Sequence, residues 1–233
     1  MFRCARGRGI TSRRHRKMER AVETVMCRSA GVSPALWFLM SGSIVTTVRN
    51  RGRLPHWENK HAVYFVTFRL ADSLPKTVLQ QIELERRDIV STAPAMHRDL
   101  SPNEQKRLAA LFTDRVETYL DAASGSCNLA KRPIANSVVQ ALRHFDDVRY
   151  RILAWRIMPN HVHVIFQPLE ANALAGILHS WKSYTAKEAN RLLKRTGSFW
   201  QREYYDHLVR DEEDFGRIVR YVLENPRRAG LHD

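Results

Sequence analysis

The sequence predicts an α+β domain, and three observations predict it. β-Branched and aromatic runs are few, and two of them are joined by Pro159-Asn160 as an antiparallel hairpin. Longer stretches with apolar residues at helical spacing stand between the runs. Of the 233 residues, 44% are apolar, enough for a real core in one domain of fair size or one domain with a tail.

Residues 1–52 differ from the rest. Arg and Lys crowd positions 3 to 20, and no sustained period follows. The patch from Ala35 to Val48 is too short and too mixed to span a membrane, and it lies too far in to be a signal peptide. The segment reads as a basic, flexible extension with no assigned function, and residues 53–233 read as the domain. Val63 to Leu70 is the first clear strand. After Pro75, helical spacing runs from Val78 to Ile89. Ser101-Pro102-Asn103-Glu104 carries a capping-box pattern and opens a helix to about Ala123. A loop to Pro133 and a third helical stretch, Ile134 to Phe145, follow.

Tyr150 to Ile157 is a strand, and the hairpin leads into a second, His161-Val162-His163-Val164-Ile165-Phe166. Ala171 to Lys194 is a long helix with Leu174, Ile177, Leu178, Trp181, Tyr184 and Thr185 towards the core. Phe199 to Leu208 is extended. The last helix begins at Asp211 as N-cap with acids in its first turn, and Phe215, Ile218, Val219, Val222 and Leu223 form its stripe. Pro226 ends it.

Charge and cysteines bound the function. Lys plus Arg number 38 against 24 acids, a formal +14, which points to a polyanion such as nucleic acid; the basic tail supplies part of the excess. Cys4, Cys27 and Cys127 are few, odd in number and widely spaced, so neither a disulfide framework nor a zinc site is indicated, and a reducing cytoplasm fits.

The histidines carry the chemistry. Side chains of a strand alternate faces, so His161 and His163 point one way and Val162 and Val164 the other, towards a core. Two imidazoles roughly 7 Å apart along a strand can share one metal ion. The plain alternative is two satisfied histidines on a half-exposed strand. Tyr221 and Asn225 are four apart on one flank of the last helix. Tyrosine can be a covalent nucleophile, and an amide oxygen suits a hard cation. The alternative there is a tyrosine at a core edge and an asparagine C-cap.

His161-Val162-His163 resembles the HUH motif. With Tyr221-x-x-x-Asn225-Pro226, the chain resembles the single-tyrosine HUH transposases, and within them the REP-associated tyrosine transposases. Further matches are Ala154-Trp155-Arg156-Ile157-Met158-Pro159-Asn160, Trp181-Lys182-Ser183-Tyr184-Thr185, Phe199 to His207, and Arg210-Asp211-Glu212-Glu213. The resemblance covers roughly residues 54 to 231. It implies a ferredoxin-like fold, with helices on one face of an antiparallel sheet and the His pair on a central strand. It implies a 5′-phosphotyrosine on Tyr221, Mg²⁺ or Mn²⁺ held by His161, His163 and Asn225, and hairpin or palindromic single-stranded DNA as substrate. It further implies a cytoplasmic, nucleoid-associated protein with no membrane partner, as monomer or homodimer. Where members of that family often carry Asn-Asn-Pro, this chain has Glu224-Asn225-Pro226.

For DNA phosphates, Arg156, Lys182, Arg202, Arg217, Arg220, Arg227 and Arg228 are the candidates, each alternatively a solvated surface charge. Trp155, Trp181 and Trp200 sit at family-like positions, Trp181 most simply in the core. Tyr184 reads as core packing. Consecutive Tyr204 and Tyr205 face opposite ways, and His207 is a candidate second neighbour of the site. His179 reads as a surface residue. Two competing functions stand beside strand transfer: a hairpin-binding protein without catalysis, with Glu224 altering the site, and a nucleotide hydrolase. The hydrolase would need a third histidine where Ile165 stands.

Overall fold

A four-stranded antiparallel sheet organises the computed structural model, which describes residues 47–51, 54–58, 62–95, 122–169 and 172–228, with isolated positions between 101 and 120. The elements are β1 (Thr47–Arg51), β2 (Leu54–Glu58), β3 (Tyr64–Arg69), α1 (Lys76–Ala95) and α2 (Arg132–His144). They continue with β4 (Tyr150–Ile157), β5 (His161–Pro168), α3 (Leu174–Leu192), β6 (Tyr205–Leu208) and α4 (Glu212–Arg228). The sheet runs β4-β5-β3-β6, every neighbour antiparallel. From β3 to β6 this is the ferredoxin-like strand order, and it puts β5 in the interior of the sheet. β1 and β2 form a separate antiparallel hairpin. The basic extension expected over residues 1–52 lies outside the described residues except for β1.

One face of the sheet is an apolar core. Tyr64, Val66, Phe68 and Leu70 of β3 and Val162, Val164 and Phe166 of β5 meet α2 and α3 there. α2 offers Ile134, Ala135, Val138, Ala141 and Leu142, an i, i+3, i+4, i+7 line, and Arg143 and His144 complement its C-terminal dipole. Two large polar side chains of this face satisfy one another. Trp181 Nε1 donates to Tyr150 Oη at 2.8 Å, and that hydroxyl lies 3.0 Å from the Leu142 carbonyl. Trp181 packs edge-on against both Tyr150 and Phe166.

α4 covers the opposite face, with Ile218 and Val222 against Phe65, Ala154 and Ile165. Asp211 is its N-cap: the Asp214 amide donates to Asp211 Oδ1 at 2.8 Å, and Glu212, Glu213 and Asp214 fill the first turn.

Three expectations need correction. Tyr184 is not a core residue but 47% exposed. At 3.6 residues per turn the buried line of α3 passes through Trp181, Thr185 and Ala189, leaving Tyr184 on its rim. Leu223 is likewise 43% exposed, because the sheet-facing line of α4 runs through Ile218, Val222 and Asn225. Pro226 does not end α4, which continues to Arg228. So close to a helix end, the amide that proline lacks removes a single bond of the ladder.

The capping box forms as expected. Glu104 Oε2 accepts from the Ser101 amide at 2.8 Å, and Ser101 Oγ accepts from the Glu104 amide at 3.3 Å. Val116 and Leu120, further along that predicted helix, pack with Leu74, Val78 and Ile82 in a small separate cluster. Among the described residues, no helix is long and apolar enough to cross a membrane.

Candidate active site

β5 turns Val162 and Val164 into the apolar core, so the pleat turns His161 and His163 to the α4 face. Both rings are buried. They lean together until the two Nε2 atoms lie 2.9 Å apart, with the rings edge-on. The other nitrogen of each ring has its own oxygen. His161 Nδ1 lies 2.7 Å from Asn160 Oδ1, and His163 Nδ1 lies 2.8 Å from Thr67 Oγ1. Asn160 Nδ2 donates to the Ser124 carbonyl at 3.0 Å. The Asn160 oxygen is therefore the end that meets His161, and His161 Nδ1 carries the proton. Burial holds both rings neutral. It lowers the His163 pKa to about 3, and it pushes His161 well below the usual range, helped by His163 and Arg69.

α4 brings the other two residues. The Tyr221 ring stands edge-on to His163 at 5.4 Å and to Phe65 at 5.9 Å, and Phe65 stacks on His163. Asn225, one turn on, is fully buried and donates through Nδ2 to Tyr221 Oη at 3.3 Å. It lies inside α4 rather than capping it. His161, His163, Tyr221 and Asn225 thus meet between β5 and α4.

The donor set fits a divalent ion. Two ligands at about 2.1 Å from one cation and at right angles to each other lie about 3 Å apart, which is the spacing of the two Nε2 atoms. Metal ligation needs neutral imidazole, and burial keeps both rings in that form. Among the described residues no group of three His, Cys, Asp or Glu could hold a metal. Among the described residues a third protein donor would then be a neutral oxygen, and Asn225 Oδ1 is the candidate, its amide nitrogen being turned to Tyr221.

The basic candidates divide. Arg156 is 4% exposed and pairs across the sheet with His163, so it belongs to the site and not to the surface. Lys182 is half-buried; its Nζ donates to the Gln201 and Arg202 carbonyls at 2.8 Å, and burial lowers its pKa to about 8. Arg202, Arg217 and Arg220 are exposed, Arg217 pairing with Asp214. The side chains of Arg227 and Arg228 lie outside the described residues. Trp155, Trp181 and Trp200 are all buried, so none stands open to stack on a base.

Tyr204 and Tyr205 face opposite ways, Tyr204 towards the α3 core and Tyr205 against Phe65. His207 Nε2 meets Asp214 Oδ2 at 2.7 Å and ties β6 to the start of α4. His179 is exposed. Sequence reasoning missed Thr67, Arg69 and Asn160. The signal for the first two was there: Thr67 and Arg69 interrupt the apolar β3 run at alternate positions, as the histidines interrupt β5.

Residues 129–225 match the family described as IS200-like transposases. A protein of Haemophilus influenzae assigned as a REP-associated tyrosine transposase is 29% identical over 143 residues, covering 57% of this chain and 76% of that protein. An uncharacterised protein of the same organism is 30% identical over 98 residues, and the chain spans 54% of its length. Among solved structures, a REP-associated tyrosine transposase bound to a REP hairpin aligns with 78% of this chain and 73% of its own, at 16% identity and a TM-score of 0.40. Residues 129–225, the stretch that matches the IS200-like transposase family, contain His161, His163, Tyr221 and Asn225, and the chain resembles the REP-associated tyrosine transposases.

Proposed function

We propose that the protein is a metal-dependent strand transferase that cuts single-stranded or hairpin DNA through a 5′-phosphotyrosine on Tyr221. One observation carries this reading: the two neutral imidazoles of β5 and the tyrosine–asparagine pair of α4, remote in sequence from each other, come together with Tyr221 against His163. The phenol oxygen of Tyr221 attacks phosphorus, the bond from phosphorus to the 3′ oxygen breaks, and the phenol proton is lost. The leaving oxygen takes a proton and becomes a 3′-OH. Because the ester bond is exchanged and not hydrolysed, the same or another 3′-OH can reverse the step, which suits strand transfer. A divalent ion, Mg²⁺ or Mn²⁺, held by His161, His163 and Asn225, would supply neutralisation of the phosphoryl charge.

The chain's own residues do the rest. Asn225 holds the phenol through its Nδ2, and Phe65 packs against both Tyr221 and His163. The +14 charge suits a phosphate backbone, and the REP hairpin in the structure of a related transposase suggests the kind of DNA. The protein would work on nucleoid DNA in the cytoplasm, as monomer or homodimer.

The rival readings meet particular residues. Glu224, the departure that would favour a binding protein without catalysis, is exposed on α4 while Asn225 is buried. Ile165, where a hydrolase of this kind would carry a third histidine, is packed in the cluster under α4. Incubation with single-stranded hairpin DNA and Mn²⁺ should give a protein–DNA adduct that survives denaturing electrophoresis and is absent in Tyr221→Phe. An adduct that persists in that variant would move the nucleophile to another tyrosine. Binding without cleavage under any divalent ion would favour the binding protein.

A further inference from the structure

We propose that Arg69 grips the phosphate on which Tyr221 acts, its guanidinium contacting a non-bridging oxygen. The proposal rests on the strand-transfer reading above and adds a residue to it. Arg69 pairs across the sheet with His161, and alternation puts it on the His face. It is 6% exposed, and its Nε finds no hydrogen-bond partner among the described residues. The charge that opposes it is Glu203; burial outweighs that charge and lowers the arginine pKa to about 10. A buried cation held by so little is costly.

Docking of the neighbouring segment does not account for it. The segment from Phe199 to Gln201 is already tied to this end of β3 by backbone. The Gln201 amide donates to the Arg69 carbonyl and the Ala71 amide to the Phe199 carbonyl, each at 2.9 Å. The Arg69 side chain is not needed for that docking.

Charge balance shows what it is needed for. Arg69 flanks the His pair from β3, and Arg156, also buried, flanks it from β4. The metal donors between them, two imidazoles and an amide, are neutral. A dication there would leave the cavity strongly positive, so the occupied site calls for an anion. A phosphodiester brings one negative charge, and the five-coordinate transition state brings two. The guanidinium fork matches two phosphoryl oxygens, and its attraction grows as that second charge develops.

The test compares native hairpin DNA with the same DNA carrying a neutral methylphosphonate at one linkage, each linkage being substituted in turn. Adduct formation and equilibrium binding are measured for the wild type, Arg69→Gln and Arg69→Lys. On native DNA, Arg69→Gln should slow adduct formation by about 10²–10³-fold. At the cleaved linkage, methylphosphonate should shrink that loss to less than about tenfold, because the contacted oxygen is gone. Equal losses on both DNAs overturn the proposal. Mn²⁺ affinity, read by electron paramagnetic resonance, should match the wild type; a large fall would make Arg69 a strut of the His pair and overturn it as well.

If Arg69→Gln does not fold, Arg69→Lys carries the same comparison, keeping the charge without the fork. If the wild type forms no adduct at all, the strand-transfer reading fails. The grip is still decided by binding: Arg69→Gln should lose affinity for native DNA but not for DNA substituted at one linkage. Loss at every linkage alike would overturn it.

Discussion

The two faces of the sheet use burial for different ends. Towards α2 and α3 lie Tyr64, Val66, Phe68, Val162, Val164 and Phe166, and there Tyr150 Oη and Trp181 Nε1 satisfy one another. Towards α4 lie Thr67, Arg69, Arg156, His161, His163 and Asn225, also buried, in a much smaller apolar cluster. The same strands build both, since each turns alternate residues to opposite sides. The apolar face stabilises the sheet, and that stability holds on the other face a set of polar groups that would not be buried together on their own account.

Breaking the polar face should abolish activity and leave the fold. His163→Ala should reduce adduct formation beyond detection while leaving hairpin affinity within a few-fold of the wild type. On the proposed reading, binding rests on many phosphate contacts and cleavage on one ion. Asn225→Ala should cost less than either histidine, because water can replace a neutral oxygen ligand. Full cleavage by His163→Ala at low Mg²⁺ would make the pair a structural feature.

Breaking the apolar face should do the reverse. Phe166→Ala removes a fully buried ring under Trp181 and should lower unfolding free energy by about 3–5 kcal/mol. Wherever the variant remains folded, adduct formation per folded molecule should stay near that of the wild type. A proportionate loss in both would show that the two faces are not separable.

Acid should sharpen the contrast by a smaller effect. His161 and His163 stay neutral in the fold, His163 down to about pH 3, whereas in the unfolded chain histidine protonates near 6.5. Between those values the unfolded state binds more protons, so stability is complete above about pH 6.5 and falls as the pH drops. The Asp214 carboxyl acts in the same direction at lower pH: burial raises its pKa, but His207, the Arg210 amide and Arg217 together lower it further. Melting temperatures of metal-free protein taken from pH 7 to pH 4.5 should fall, and His163→Ala should flatten the slope. A slope unchanged in that variant would place the acid sensitivity elsewhere.

Much of this arrangement was legible in the sequence, because it depends on short-range periodicity. Alternation alone put His161 and His163 on one face, and a four-residue step put Tyr221 beside Asn225. The Asp211 cap and the Ser101–Glu104 box are local chemistry and were read directly. What was not legible depends on pairing between distant strands. Arg69 enters the site only because β3 lies antiparallel to β5 in the register that sets it opposite His161. Asn160 takes its role from Ser124, 36 residues away. Tyr184 and Leu223 were misplaced because a periodic stripe gives the buried side of a helix but not its width.

If the His pair takes up a cation as proposed, the unlike oxygens behind the two imidazoles set how. Asn160 locks a hydrogen on His161 Nδ1, so the Nε2 of that ring is permanently bare. The short approach between the two Nε2 atoms then requires His163 to carry its hydrogen there, with its Nδ1 accepting from the Thr67 hydroxyl. To become a ligand, His163 has only to move that hydrogen to Nδ1, and the hydroxyl, free to rotate, turns from donor to acceptor. Loading the site would then be a tautomer exchange inside the protein, with no proton released to solvent. At neutral pH its affinity should depend little on pH, unlike a thiolate or carboxylate site that must first shed protons.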